Sequence, residues 1–147
     1  MLNQAQWRAI NMKREATCLC GQLSLCVEGE PTLSMVCNCT NCQRRTGSAF
    51  GTITYFADSQ VIEQKGKTKN HRFKVDSGNT NTTSFCPNCG TTVFFKAEMF
   101  QGQTGIASGC FRESERPEPR LAAWTRSKCQ WVEFPEHWPR LAKQSPS

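Results

Sequence analysis

The 147-residue chain has no run of 18 or more apolar residues, so the sequence offers no transmembrane helix. Its opening stretch, MLNQAQWRAINMKREA, lacks the continuous apolar segment and clean cleavage site of a secretory leader. The expected location is therefore the cytoplasm, with no membrane partner. RNP, helix-turn-helix and finger signatures are missing, so nucleic acid is not the expected partner. There is no internal repeat and no low-complexity segment. Histidine is scarce, with two residues, and tyrosine scarcer still, with one. No side chain stands out as a general acid or base. Asp58 and Glu98 are merely the acidic residues nearest to apolar strands.

Cysteine, by contrast, is abundant, with ten residues. In a secreted chain that count would suggest a disulfide framework, and in a cytoplasmic one it points to metal or to catalysis. Seven of the ten are clustered as Cys18-Leu-Cys20-Gly21, Cys37-Asn-Cys39-Thr-Asn-Cys42 and Cys86-Pro-Asn-Cys89-Gly90. Cys26, Cys110 and Cys129 stand alone. Cys26 and Cys129 read as packing residues, and Cys110 as a thiol that could approach a metal.

Tight pairs suit zinc, because four thiolates at about 2.3 Å complete a tetrahedron. A glycine directly after the second cysteine permits the turn in which backbone N–H groups point at sulfur. Cys18, Cys20, Cys86 and Cys89 can thus form one closed, structural site. Cys37, Cys39 and Cys42 then remain as three ligands with no obvious fourth, the arrangement of a catalytic zinc that keeps one position open. Two other readings stay open at this point. The triple could be structural, completed by His71, Cys110 or a carboxylate, or it could hold a disulfide and a free thiol. With two zinc ions per chain, the formal charge falls from +6 to about +3, because the thiolates outweigh the metal charge.

The length fits a single domain with its own core. Residues 1–14 read as an N-terminal extension, 15–141 as one domain, and 142–147 as a tail, fraying from Trp138 onward. Leu23, Leu25 and Val27 alternate with polar neighbours, a strand pattern that Glu30-Pro31 ends. Further strands are expected at 32–36, 48–56, 91–97 and 103–111, with shorter ones in VIEQKG and HRFKV. CTNCQRRTG suits a helical turn stopped by Gly47. The chain is expected to be mainly β with few short helices. The basic run KGKTKNHRFK, residues 65–74, reads as a solvated hairpin edge. Arg44, Arg45 and those lysines are candidates for anionic substrate groups, and Thr46 and Ser48 for capping and turn formation. Trp124, Trp131, Trp138 and the Phe94-Phe95 pair read as packing.

CLCGQLSL, VCNCTNCQRRTGSAFGT and SFCPNCGTTVFF together resemble the Gfa family of glutathione-dependent formaldehyde-activating enzymes, which share a CENP-V/GFA domain. RSKCQWVEFPEHWPRL resembles that family's closing stretch, so the likeness runs from about residue 13 to 141. It implies a β-tent similar to Mss4-like folds, with zinc-binding knuckles. It also implies a structural zinc on Cys18, Cys20, Cys86 and Cys89, and a catalytic zinc on Cys37, Cys39 and Cys42. The implied activity is that of a carbon–sulfur lyase joining glutathione to formaldehyde as S-hydroxymethylglutathione. Asn38 stands where the family commonly has His, Gln43 where it commonly has Arg, and Ser84 where a basic residue is frequent. These departures are expected to lie where substrate is recognised. Two other functions fit the same residues: a thiol-binding module without catalysis, and a structural protein with two inert zinc sites.

Overall fold

The computed structural model describes residues 1–143, so the end of the tail, 144–147, lies outside the described residues. Ten strands form two sheets. The smaller contains β1 (Lys13–Thr17), β2 (Ser24–Glu28) and β5 (Val61–Lys65), in the order β1-β2-β5. The larger contains β3 (Leu33–Cys37), β4 (Gly51–Ala57), β6 (Lys69–Lys74), β7 (Thr80–Phe85), β8 (Thr92–Ala97), β9 (Gln103–Ala107) and β10 (Ala122–Ala123). Its order is β10-β3-β4-β9-β8-β7-β6, antiparallel except for β10 beside β3. Two short helices, α1 (Gln4–Asn11) and α2 (Thr40–Thr46), complete the regular structure apart from single 3-10 turns. The fold is mainly β, as expected. No helix among the described residues is long and apolar enough to cross a membrane.

The two faces of the larger sheet do different work. One packs on the smaller sheet: Ala16, Leu25 and Val27 meet Phe56, Val93 and Ile106 in a core that also holds Cys18 and Cys86. Each large apolar side chain buried there contributes about 1.5–3 kcal/mol. The opposite face carries Met35, Cys37, Ile53, Tyr55 and Phe95. Period-two alternation produces the split, since Tyr55 and Phe56 are neighbours on β4 yet belong to different faces.

Residues expected to be loosely held are in places well anchored. Asn3 caps α1, accepting from Gln6 N while its own N–H bonds Gln6 Oε1. On β1, Arg14 is buried. Its Nη1 donates to Gly29 O at 2.7 Å, its Nε to Glu115 O at 3.1 Å, and its Nη2 meets Glu30 at 3.5 Å. Residues 141–143 are tied as well: Leu141 N donates to Ala122 O at 2.9 Å and Trp124 N to Lys143 O at 3.3 Å. The basic run is not a hairpin. Lys65 ends β5 and Lys69–Lys74 form β6, so it crosses from an edge strand of one sheet to an edge strand of the other. Lysines on both edges discourage strand addition.

Candidate functional site

The seven clustered cysteines fall into the two groups that their spacing suggested. The Sγ atoms of Cys18, Cys20, Cys86 and Cys89 lie within 4.8 Å of one another, and so do those of Cys37, Cys39 and Cys42. Each group could hold a metal ion.

The four-cysteine group joins the turn before β2 to the turn after β7. Two of its separations are 3.6 Å, Cys18 to Cys20, and 3.7 Å, Cys20 to Cys86. Four sulfurs at zinc–thiolate distance from one centre would stand about 3.8 Å apart, so the spacing fits a tetrahedral ion. Backbone donors also face the sulfurs: Leu23 N to Cys18 Sγ at 3.3 Å and Asn88 N to Cys86 Sγ at 3.4 Å. Gln22 Nε2 donates to Cys86 Sγ at 3.0 Å. Gly21 and Gly90 take φ values of 83° and 78°, a left-handed backbone that a side chain would strain. Hydrogen bonds from Thr91 pull the Cys89 thiol down to about 5, so its thiolate is already favoured.

The three-cysteine group sits at the end of β3 and the start of α2. Cys37 ends β3 with its side chain on the sheet's second face. Cys39 is the N-cap of α2, its Sγ accepting from Cys42 N at 3.3 Å. Gly47, at φ 62°, ends that helix in the left-handed cap the sequence suggested. Hydrogen bonds from Cys37 and Cys42 hold the Cys39 thiol near 3, while the same bond to Cys39 pushes the Cys37 thiol up. No fourth Cys, His, Asp or Glu among the described residues joins the group. Cys110 stays apart, its Sγ donating to Thr92 O at 3.7 Å and its thiol pushed up to about 11 by burial. His71 is on β6, at the rim of the adjoining cavity, rather than beside the sulfurs.

That cavity, of about 680 Å³, opens over the second face of the larger sheet. Cys37, Cys39 and Cys42 line one part of it, with Met35, Ile53, Tyr55 and Phe95 alongside. Arg44, Arg45, Lys74 and Arg126 supply cations to its wall. Burial, and next the neighbouring Cys37, push the Tyr55 hydroxyl up, so it remains a neutral phenol. Arg45 lies over Phe95, its guanidinium carbon 4.5 Å from the ring centre.

Other sequence candidates lie elsewhere. Asp58 pairs with Lys96 and accepts from Thr104 Oγ1 at 2.7 Å, outside the cavity. Glu98 accepts from Thr80 N. Thr46 Oγ1 donates to Cys42 O at 2.8 Å, within the helix. Asn38, Gln43 and Ser84 do not line the cavity, contrary to the expectation that the departures would mark substrate recognition. Asn38 is fully buried, and its Nδ2 donates to Ala123 O at 2.9 Å. Gln43 Nε2 bridges Asn38 O and Ser127 O at 2.9 and 3.0 Å. These two amides fasten the cysteine loop to segment 123–127. Ser84 bonds Asn70 across β7 and β6. Cys26 and Cys129 are half-buried rather than core residues. Trp131 is 78% exposed, so it does not pack as expected, whereas Trp138 stacks on Phe134 and Phe95 is buried. Trp124 lines the cavity at φ 56°, a conformation costly for a bulky residue.

A family model described as glutathione-dependent formaldehyde-activating enzyme matches residues 13–127. The chain belongs to this family. The match spans both cysteine groups and every strand of the two sheets. No curated protein matches the chain. Among solved structures, a crystal structure of a Rhodobacter sphaeroides protein, a structural-genomics target, is similar with a TM-score of 0.54 at 18% identity. The alignment covers 72% of this chain and 92% of that one. At that identity the likeness concerns the fold.

Proposed function

We propose that the chain is a zinc-dependent carbon–sulfur lyase of the Gfa type, joining a thiol such as glutathione to a small aldehyde. The observation that carries this reading is the contrast between the two cysteine groups. One has four sulfurs at tetrahedral spacing beside the core. The other has three, no fourth ligand among the described residues, and a cavity above it. Cys18, Cys20, Cys86 and Cys89 would hold a structural zinc, and Cys37, Cys39 and Cys42 a catalytic one. When bound at the open group, Zn²⁺ favours the thiolate form of a substrate thiol at neutral pH.

The remaining work belongs to the chain's own side chains. Arg44, Lys74 and Arg126 receive the carboxylates of the thiol substrate and orient it toward the cysteines. Arg45, fixed against Phe95, places positive charge beside three thiolates and keeps the site from repelling an anionic reactant. Tyr55, a neutral donor at the cavity floor, directs its hydroxyl to the carbonyl oxygen on which charge develops. In the reaction the sulfur–carbon bond forms, the carbonyl π pair moves to oxygen, and the thiol proton ends on that oxygen.

The test is exchange spectroscopy of ¹³C-formaldehyde with glutathione, comparing wild type with Cys42→Ser. Wild type is expected to accelerate adduct formation above the uncatalysed rate, and C42S to fall back to it. Equal acceleration by both proteins would overturn the proposal. Glutathione binding without acceleration in wild type would leave a thiol-binding module.

A further inference from the structure

The wall of the cavity beyond the cysteines is more elaborate than a one-carbon aldehyde requires. His71 and Phe73 stack on β6 with ring centres 5.7 Å apart and planes 16° from parallel. Tyr55 and Phe100 meet at 4.7 Å, and Met99 is 49% exposed beside them. All five line the same cavity as Cys37, Cys39 and Cys42. His71 and Met99 are exposed and Phe73 only half-buried, so these three are not core residues satisfied by packing, while Phe100 packs on the core through Tyr55 and still shows part of its ring to the cavity. Formaldehyde would leave them uncovered. Glutathione is a polar peptide and gains little from rings and a thioether. Its carboxylates suit the cationic side chains, which leaves the aromatic wall for the other reactant. A planar apolar body matches such a wall, because rings gain offset or edge contacts on His, Phe and Tyr beyond their area burial.

We propose that the carbonyl substrate of this site is an aromatic aldehyde, whose ring lies on the His71–Phe73 and Phe100 wall while its carbonyl carbon points to the three cysteines. This rests on the thiol-addition reading above. The thiol sulfur bonds to the carbonyl carbon, the C=O π bond opens, and the thiol proton passes to oxygen. The product is a hemithioacetal, with no oxidant or reductant consumed.

Two measurements separate this inference from the reading beneath it. The first is calorimetric binding of S-benzylglutathione and S-methylglutathione, stable thioethers that mimic aromatic and one-carbon adducts. S-benzylglutathione is expected to bind about tenfold tighter to wild type, with most of that preference lost in Phe73→Ala. Met99→Ala gives a second variant, on an exposed side chain, that should reduce the same preference. Equal affinity of the two thioethers for wild type would overturn the inference, whether or not the protein is catalytic. The second is the rate of glutathione addition to benzaldehyde and to formaldehyde. Faster relative acceleration with benzaldehyde supports the inference. Acceleration with formaldehyde alone overturns it and leaves the lyase reading standing. Acceleration with neither rejects the lyase reading, and the thioether comparison then decides the aromatic site by itself.

Discussion

Arg45 rests on the ring of Phe95, and its Nη2 is buried with no hydrogen-bond partner among the described residues. A buried guanidinium nitrogen without an acceptor is costly unless opposite charge lies close by. The three cysteines of the neighbouring group provide that charge when they are thiolates, and a divalent ion among them leaves one negative charge for Arg45 to balance. Arg45→Met is therefore expected to weaken metal retention at this group by roughly tenfold, in the range of losses seen when residues behind metal ligands are changed. Competition with a coloured chelator measures it, and the four-cysteine group should keep its ion. Unchanged retention would show that Arg45 does not balance the cluster.

Gly51 controls where Arg45 sits. It pairs with Cys37 across β3 and β4, and a Cβ placed on it would stand 2.6 Å from Arg45 Nη2 and 3.4 Å from Cys42 Cβ. Because the close atom is the far end of a flexible side chain, Gly51→Ala should fold. It should displace Arg45 and reproduce the metal loss of R45M without changing any charge. Wild-type retention in G51A would disconnect the two residues.

The two cysteine groups should fail in different ways. Cys86→Ser opens the group that links the turn before β2 to the turn after β7. Its loss should cost at least about 3 kcal/mol and lower the melting temperature by about 10 °C. Cys42→Ser should move the melting temperature much less while abolishing adduct formation. Calorimetric scans of both variants check this. Equal destabilisation would mean that both groups are structural.

Arg14 offers a test at the other end of the fold. Its removal in Arg14→Ala leaves the carbonyls of Gly29 and Glu115 without their donors. A loss of about 2–4 kcal/mol is expected, read from urea unfolding.

Acid should loosen the contacts by which Asp58 ties the turn after β4 to β8 and β9 in the larger sheet. Lys96, and then Thr104, hold its carboxyl below the usual carboxylate range. A depressed folded value means that the stabilisation is fully present above the unfolded pKa, near pH 4, and disappears as pH falls through the folded value. The pair is half exposed, so the effect is small. Following the Asp58 carboxyl carbon by NMR should show titration below that of an unstructured aspartate. In Asp58→Asn the acid-dependent part of the unfolding free energy should shrink.

What could be read in the chain depended on how local the signal was. The cysteine groups are written in spacings of one and two residues, and each falls in a turn or cap whose geometry glycine or a helix start completes. β2 announces itself by alternation, and β4 by its β-branched and aromatic residues. β1 does not, because one of its two inward residues is Arg14, a charge held by carbonyls from distant segments. Ala122–Ala123 is too short to carry a period, and its pairing with β3 depends on the whole chain. The cavity wall is assembled from His71, Phe73, Phe100 and Trp124, which only the sheet order brings near Cys37. Asn38 and Gln43 were misplaced for the same reason. Their departure from the family pattern suggests substrate contact, while their partners at Ala123 and Ser127 make them fasteners.

The division of the larger sheet also bears on how such a protein could change over generations. On β4, Phe56 answers to the packing between sheets and Tyr55 to whatever occupies the cavity. Adjacent codons thus face separate selective pressures. A lineage could exchange one occupant of the cavity for another by altering alternate positions, leaving intact the face that folds the chain.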